Sequence, residues 1–172
     1  MSGVLSDNVG RAGGLMKAAA GGGKILQVVS GSTSAVITTT TTMQNDDTIP
    51  QNTEGGEIIT QAITPTSATN KLLIQVTTYC APHTSNQGYV HALFQDSTAN
   101  ALAAGGTTPS TQNNQSVVSL QHYMTAGTTS ATTFKFRGGS ANAGTVTWNG
   151  QSGGRYYGGV SSTVMTIWEI EV

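Results

Sequence analysis

Between Ala131 and Arg137 the chain alternates, with Phe134 and Phe136 pointing one way and Lys135 and Arg137 the other. A two-residue period of this kind suits a half-buried strand and no helix. It returns at Lys71 to Tyr79, where Leu72, Ile74 and Val76 oppose Gln75 and Thr77, and at Tyr89 to Gln95, where Val90, Ala92 and Phe94 oppose Tyr89, His91 and Leu93. In the closing segment, Ser161 to Val172, Val164, Trp168, Ile170 and Val172 share a face with Thr166, and Glu169 and Glu171 oppose them. Such a strong pattern at the C-terminus predicts a strand tied into a sheet. Further strands are predicted from Lys24 through Ile25 to Val29, through Val36 and Ile37 into Thr38 to Thr42, and over Glu57 to Thr64, Ser116 to Met124 and Thr145 to Trp148. Between them, loops are expected at Gln44 to Gly56, Pro65 to Asn70, Pro82 to Gly88 and Ala99 to Asn114. Asn149-Gly150 is the dipeptide of a type I′ hairpin turn, and Gly153 to Gly159 reads as a bulge or turn. Eight to ten short strands about a dozen residues apart predict an all-β fold, an antiparallel β-sandwich of jelly-roll type.

Composition supports that reading and narrows the chemistry. The 172 residues include 28 Thr and 22 Gly, so β-branched hydroxyl residues supply the strands and glycines the turns. Only 9% are charged and the net charge is −1. The chain therefore lacks the basic excess that binds nucleic acid, and no apolar run is long enough for a membrane span or signal peptide. We expect synthesis in a host cytosol with no membrane insertion. A length of 172 residues suits one sandwich domain, placed at 25–172. Residues 1–24 are rich in Gly and Ala and have too few apolar side chains for a core. They read as an extended docking arm in which Val9, Arg11, Leu15, Met16 and Lys17 meet a partner.

Sites for catalysis or metals are not assembled by spacing. Gly21-Gly22-Gly23-Lys24 is followed by Ile25, where a phosphate loop needs Ser or Thr to reach magnesium. His83, His91 and His122 have no Cys or carboxylate at a ligand spacing, although a threefold axis would gather three copies of one histidine. Asp46-Asp47 and Glu54 to Glu57 lack the alternation of a calcium loop and read as solvated loops. Asp96, Glu169 and Glu171 are the remaining carboxylates, and Glu169 and Glu171 share one strand face, which suits an interface or solvent better than an opposed catalytic pair. No G-x-S-x-G elbow is present. Cys80 is unpaired and reads as a small buried hydrophobe. The expectation is a protein that is not an enzyme and uses no metal or cofactor. Trp148, Tyr156 and Tyr157 lie near turn glycines, where exposed rings would stack on a glycan; Trp148 and Trp168 equally suit core or interface packing.

Three stretches stand out: Ser2 to Arg11 followed by Gly14 to Ala18, Ile63-Thr64-Pro65-Thr66-Ser67-Ala68-Thr69-Asn70-Lys71-Leu72-Leu73-Ile74, and Ser162 to Ile170. In this order they resemble the N-terminal arm, the ITP-containing element and the terminal strand of small tail-fibre and virion structural proteins of tailed bacteriophages that infect aquatic bacteria. The resemblance implies a virion component, a homotrimeric tail-fibre or appendage module whose partners are its own copies and other phage proteins. Capsid decoration on the head is the neighbouring alternative, and a carbohydrate-binding module for host attachment, contacting a host surface glycan, is a second. No functional site is carried over by the resemblance.

Overall fold

The structure is a computed structural model that describes residues 23–172. The arm residues Val9, Arg11, Leu15, Met16 and Lys17 lie outside the described residues. Strands run in the order β1 (Ile25–Thr33), β2 (Ile37–Thr39), β3 (Gly56–Ile63), β4 (Lys71–Pro82), β5 (Tyr89–Gln95), β6 (Ala103–Thr107), β7 (Ser116–Thr125), β8 (Thr132–Ser140), β9 (Val146–Trp148), β10 (Gly150–Gln151), β11 (Gly154–Arg155) and β12 (Thr163–Ile170). Every strand pairing is antiparallel.

β4 organises the first sheet because its alternating sequence continues for twelve residues. One edge pairs with β7 from Lys71 to Cys80. The other pairs first with β12 and then, at Cys80 to Pro82, with β9. Outside β12 lies β1, and outside β9 lies β2. The second sheet has the order β3-β8-β5-β6. Leu72, Ile74, Val76, Met165 and Ile167 of the first sheet meet Ile59, Ile63, Leu93, Phe134 and Phe136 of the second, together with Tyr89 and Trp148. The jelly-roll-like sandwich predicted from the strand pattern is therefore the observed fold.

β5 is buried on both faces. Tyr89 and Leu93 face the interior, whereas Val90, Ala92 and Phe94 pack with Met43 in a second cluster on the back of the sheet. The long loop after β2 forms this cover. Met43 N–H donates to Ser140 O, Asn52 N–H to Ala99 O and Ala101 N–H to Pro50 O, so the loop exchanges backbone bonds with the β5–β6 connection and does not stand free in solvent. That connection holds a difference from the sequence reading: Ala99 to Asn114, expected to be loop, contains β6, whose small residues Ala103 to Gly106 pair with β5. Strong hydrophobic alternation is not needed where neighbouring backbones supply the ladder.

Asn149-Gly150 does not form the hairpin turn. The left-handed pair is Ser152 (φ 51°) and Gly153 (φ 74°), which joins β10 to β11. Asn149 is also left-handed (φ 58°), but it is buried where β4 passes from β12 to β9. Its Nδ2 donates to Thr33 O and Ala35 O, each at 3.1 Å, across the break between β1 and β2. Its Oδ1 accepts from Thr163 Oγ1 at 2.9 Å, and Thr163 Oγ1 lies 2.6 Å from Thr78 Oγ1. Asparagine satisfies both demands, tolerance of left-handed backbone and an amide that caps broken strands.

Asn149→Ala should lower unfolding free energy by about 2–4 kcal/mol, because two carbonyls lose their donor and alanine resists the left-handed region. Asn149→Gly should lose less. Urea denaturation of the two variants checks the order.

Candidate functional site

Register places one residue from each of four strands in rows across the outer face of the first sheet. Val28 stands opposite Trp168, Trp168 opposite Leu73, and Leu73 opposite Tyr123, which makes an apolar row from β1 to β7. Val28 is 50% exposed and Tyr123 57%. Ile25, Ile170 and Val172 extend the apolar area at this end. The next row is Ser30, Thr166, Gln75 and Gln121. Its polar groups are paired sideways: Ser30 Oγ lies 3.0 Å from Thr166 Oγ1, and Gln75 Nε2 donates to Gln121 Oε1 at 3.2 Å. Among the described residues, Lys71 is the one charged side chain on the outer face of these four strands, and its Nζ donates to Thr125 Oγ1 at 2.6 Å. A face with lateral polar pairs, aromatic and aliphatic side chains and little charge has the make-up of an interface core.

At the far end of the face, Tyr79 stands opposite Val117. The segment after β11 folds over this end. Tyr157, Gly158 and Gly159 take successive left-handed conformations at φ 49°, 64° and 91°, and Tyr157 OH donates to Gln115 Oε1 at 3.0 Å. Tyr156 and Tyr157 pack edge to face with centroids 5.8 Å apart. Tyr79, Tyr157, Val160 and Ser161 line a shallow recess of about 280 Å³. The structure thus keeps Tyr156 and Tyr157 together at the surface and removes Trp148 from them. Trp148 is fully buried against Tyr89 and Phe136, its Nε1 donating to Thr39 Oγ1 at 3.0 Å. The turn glycines near it in sequence belong to β10–β11, which carries the chain away from the core. Tyr79 joins the tyrosines, and strand register, absent from the sequence, is what brings it there.

The histidines occupy different environments. His91 faces the interior beside Tyr89 and Phe136, His122 sits half-buried on the inward side of β7, and His83 Nε2 meets Thr147 Oγ1. Burial lowers His91 from the ordinary 6.5 to about 4. Among the described residues, no three His, Cys, Asp or Glu side chains are grouped to hold a metal ion. Cys80 is fully buried, and burial pushes its thiol up to about 12. Asp46 accepts from Thr48 N–H at 2.9 Å, and Glu54 from Gln51 N–H at 2.6 Å, so these acids close turns in the long loop.

Glu169 overturns its sequence reading. Its expected place was an interface or solvent; it is instead fully buried on the inward face of β12. Its Oε1 accepts from Thr66 N–H and Oγ1 at 2.8 Å each, from Ser67 N–H at 3.3 Å and from Asn70 Nδ2 at 2.6 Å, while Gln27 Nε2 donates to Oε2. Burial raises its pKa, but bonds from Asn70, Gln27 and Thr66 outweigh that and lower it to about 2. The carboxylate fastens the β3–β4 turn to β12 and β1. It is committed to structure and not to a substrate.

No protein-family model and no curated protein matches the chain. Solved structures with related strand arrangements include a sugar-binding protein described as the EclA C-terminal domain, at 16% identity, with 88% of this chain and 98% of that chain covered and a TM-score of 0.35. A structure of the infectious bursal disease virus Gt strain is 12% identical, covering 85% of this chain and 38% of that chain at a TM-score of 0.45. The CBM22-1 xylan-binding domain of Paenibacillus barcinonensis Xyn10C is also 12% identical, covering 90% and 99% at a TM-score of 0.40. Sugar-binding domains and viral particle proteins thus both occur among the structures similar to this chain.

Two titrations have predictable signs. Below pH 6.5 the unfolded chain protonates His91 sooner than the folded one, so stability should fall as pH drops from 6.5 towards 4. The contribution of Glu169 is present above 4.5 and should be lost as pH falls from there towards 2. Urea midpoints measured at about pH 7, 5 and 3 should show both losses, with His91→Leu flattening the first and Glu169→Gln the second.

Proposed function

We propose that this protein is a non-enzymatic structural module of a bacteriophage particle, a homotrimer that serves as a tail-fibre or appendage component. The observation that carries the assembly half of this reading is the outer face of β1, β12, β4 and β7. Four strands about 4.8 Å apart and roughly ten residues long give a face on the order of 600 Å² in plan before side-chain relief. A stable interface takes about 800 Å² from each partner, so this face supplies most of one. A second copy is the occupant we favour. The near absence of charge removes like-charge repulsion where copies of the chain meet head to tail around a threefold axis, and the sideways pairing of Ser30, Thr166, Gln75 and Gln121 lowers the desolvation cost of covering them.

The virion half rests on the resemblance of the arm, the Ile63 to Ile74 element and the terminal strand to phage structural proteins. The same face serves a capsid decoration protein equally well, so the two locations differ in what the trimer is attached to. Cryo-electron microscopy of the particle separates them: trimeric knobs on tail appendages support the preferred reading, knobs over the shell replace it with decoration, and absence from the particle overturns both.

Sedimentation equilibrium should give a mass of three chains. Tyr123→Glu places a charge at the exposed end of the apolar row and should convert the assembly to folded monomers, with its far-ultraviolet circular dichroism unchanged. A single-chain mass for the unmodified protein, independent of concentration, would overturn self-assembly.

A further inference from the structure

The recess lies at the Tyr79 end of the same outer face, some six residues along β4 from Leu73 and roughly 20 Å from the apolar row, at the edge of the proposed contact between copies. We propose that this recess binds a neutral carbohydrate, with Tyr157 and Tyr79 as stacking surfaces and Gln115 as a hydrogen-bonding partner. Three features point there. Tyr157 is 64% exposed although it holds a left-handed backbone that a bulky side chain ordinarily avoids, and residues kept in such conformations cluster at ligand contacts. Its hydroxyl is fixed by Gln115, which orders the ring before any ligand arrives and leaves the Gln115 amide nitrogen without a protein acceptor among the described residues. The lining of the recess pairs aromatic and aliphatic carbon with a hydroxyl, from Tyr79, Tyr157, Val160 and Ser161.

That mixture selects the ligand class. A sugar ring presents C–H groups to an aromatic face and hydroxyls to amides at its rim, which is what this end of the sheet offers. Arg155, whose side chain runs beside Gly159, is the charged residue of the segment between β10 and Ser161. It is not among the residues that line the recess, which carries no charged side chain to pair with an acidic or a basic ligand. Neutral oligosaccharides fit without an unpaired charge.

Saturation-transfer difference NMR of the intact protein with cellohexaose, xylohexaose, mannohexaose, maltohexaose and chitohexaose tests the site. At least one should show transfer to ring C–H protons, with a dissociation constant on the order of 1 mM or tighter. Tyr157→Ala should weaken that binding about tenfold or more, and Gln115→Leu, which leaves the Tyr157 backbone untouched, should weaken it several-fold. Tyr123→Glu should leave it unchanged while altering the sedimenting mass, so loss of assembly and loss of sugar binding are read separately. Silence across the five sugars overturns the proposal, as does transfer that persists in folded Tyr157→Ala protein.

Discussion

One buried carboxylate holds together the end of the sandwich where the chain leaves β3, starts β4 and finishes β12. Glu169 is fully buried, and the groups that surround its oxygens are uncharged donors from Thr66, Ser67, Asn70 and Gln27. A carboxylate taken from water without a cation is stable only if its lone pairs are filled, and here backbone and side-chain donors converge from two separate segments, the β3–β4 turn and β1. Removal of the charge would leave those donors facing each other; removal of a donor would leave the charge short. The turn between Pro65 and Lys71 therefore cannot move independently of β12, and because β12 lies between β1 and β4, the register of the outer sheet is fixed with it.

This contact joins two stretches far apart in the chain. The Ile63 to Ile74 element contributes Thr66, Ser67 and Asn70, and the Ser162 to Ile170 strand contributes Glu169. Distant in sequence, they are two halves of one staple. The staple joins the turn to the strand through hydrogen bonds buried inside the fold. The apolar row and the tyrosine recess draw mostly on residues outside the staple.

A second polar node, at Asn149, has the corresponding role at the opposite end. There β4 exchanges one neighbour for another, and the outermost strand breaks into β1 and β2. Asn149 bridges the break while Thr78 and Thr163 fill its remaining oxygen and each other. With both ends pinned by buried hydrogen bonds, the strand register that forms the outer face between them is fixed, and the Tyr157 segment packs beside it.

The sequence by itself determined the strand pattern and hence the class of fold, because alternation at Lys71 to Tyr79, Tyr89 to Gln95 and Ala131 to Arg137 is a local property that only a pleated strand converts into one buried side. It also identified Tyr156 and Tyr157 as surface aromatics, since glycines on both sides mark a turn. Tertiary structure decided the rest. Whether Trp148 or Trp168 enters the core depends on which face of its strand meets the second sheet, and Trp148 lies inward while Trp168 joins the outer row. In the closing strand the sequence groups Val164, Trp168, Ile170 and Val172 opposite Glu169, and the structure turns Thr163, Met165, Ile167 and Glu169 inward, where Met165 and Ile167 join the core and donors from a turn a hundred residues away satisfy the carboxylate. Asn149 likewise read as a turn residue by its neighbours, and became a buried bridge because hydrogen bonds to distant carbonyls, which no local pattern records, outweighed its preference for solvent.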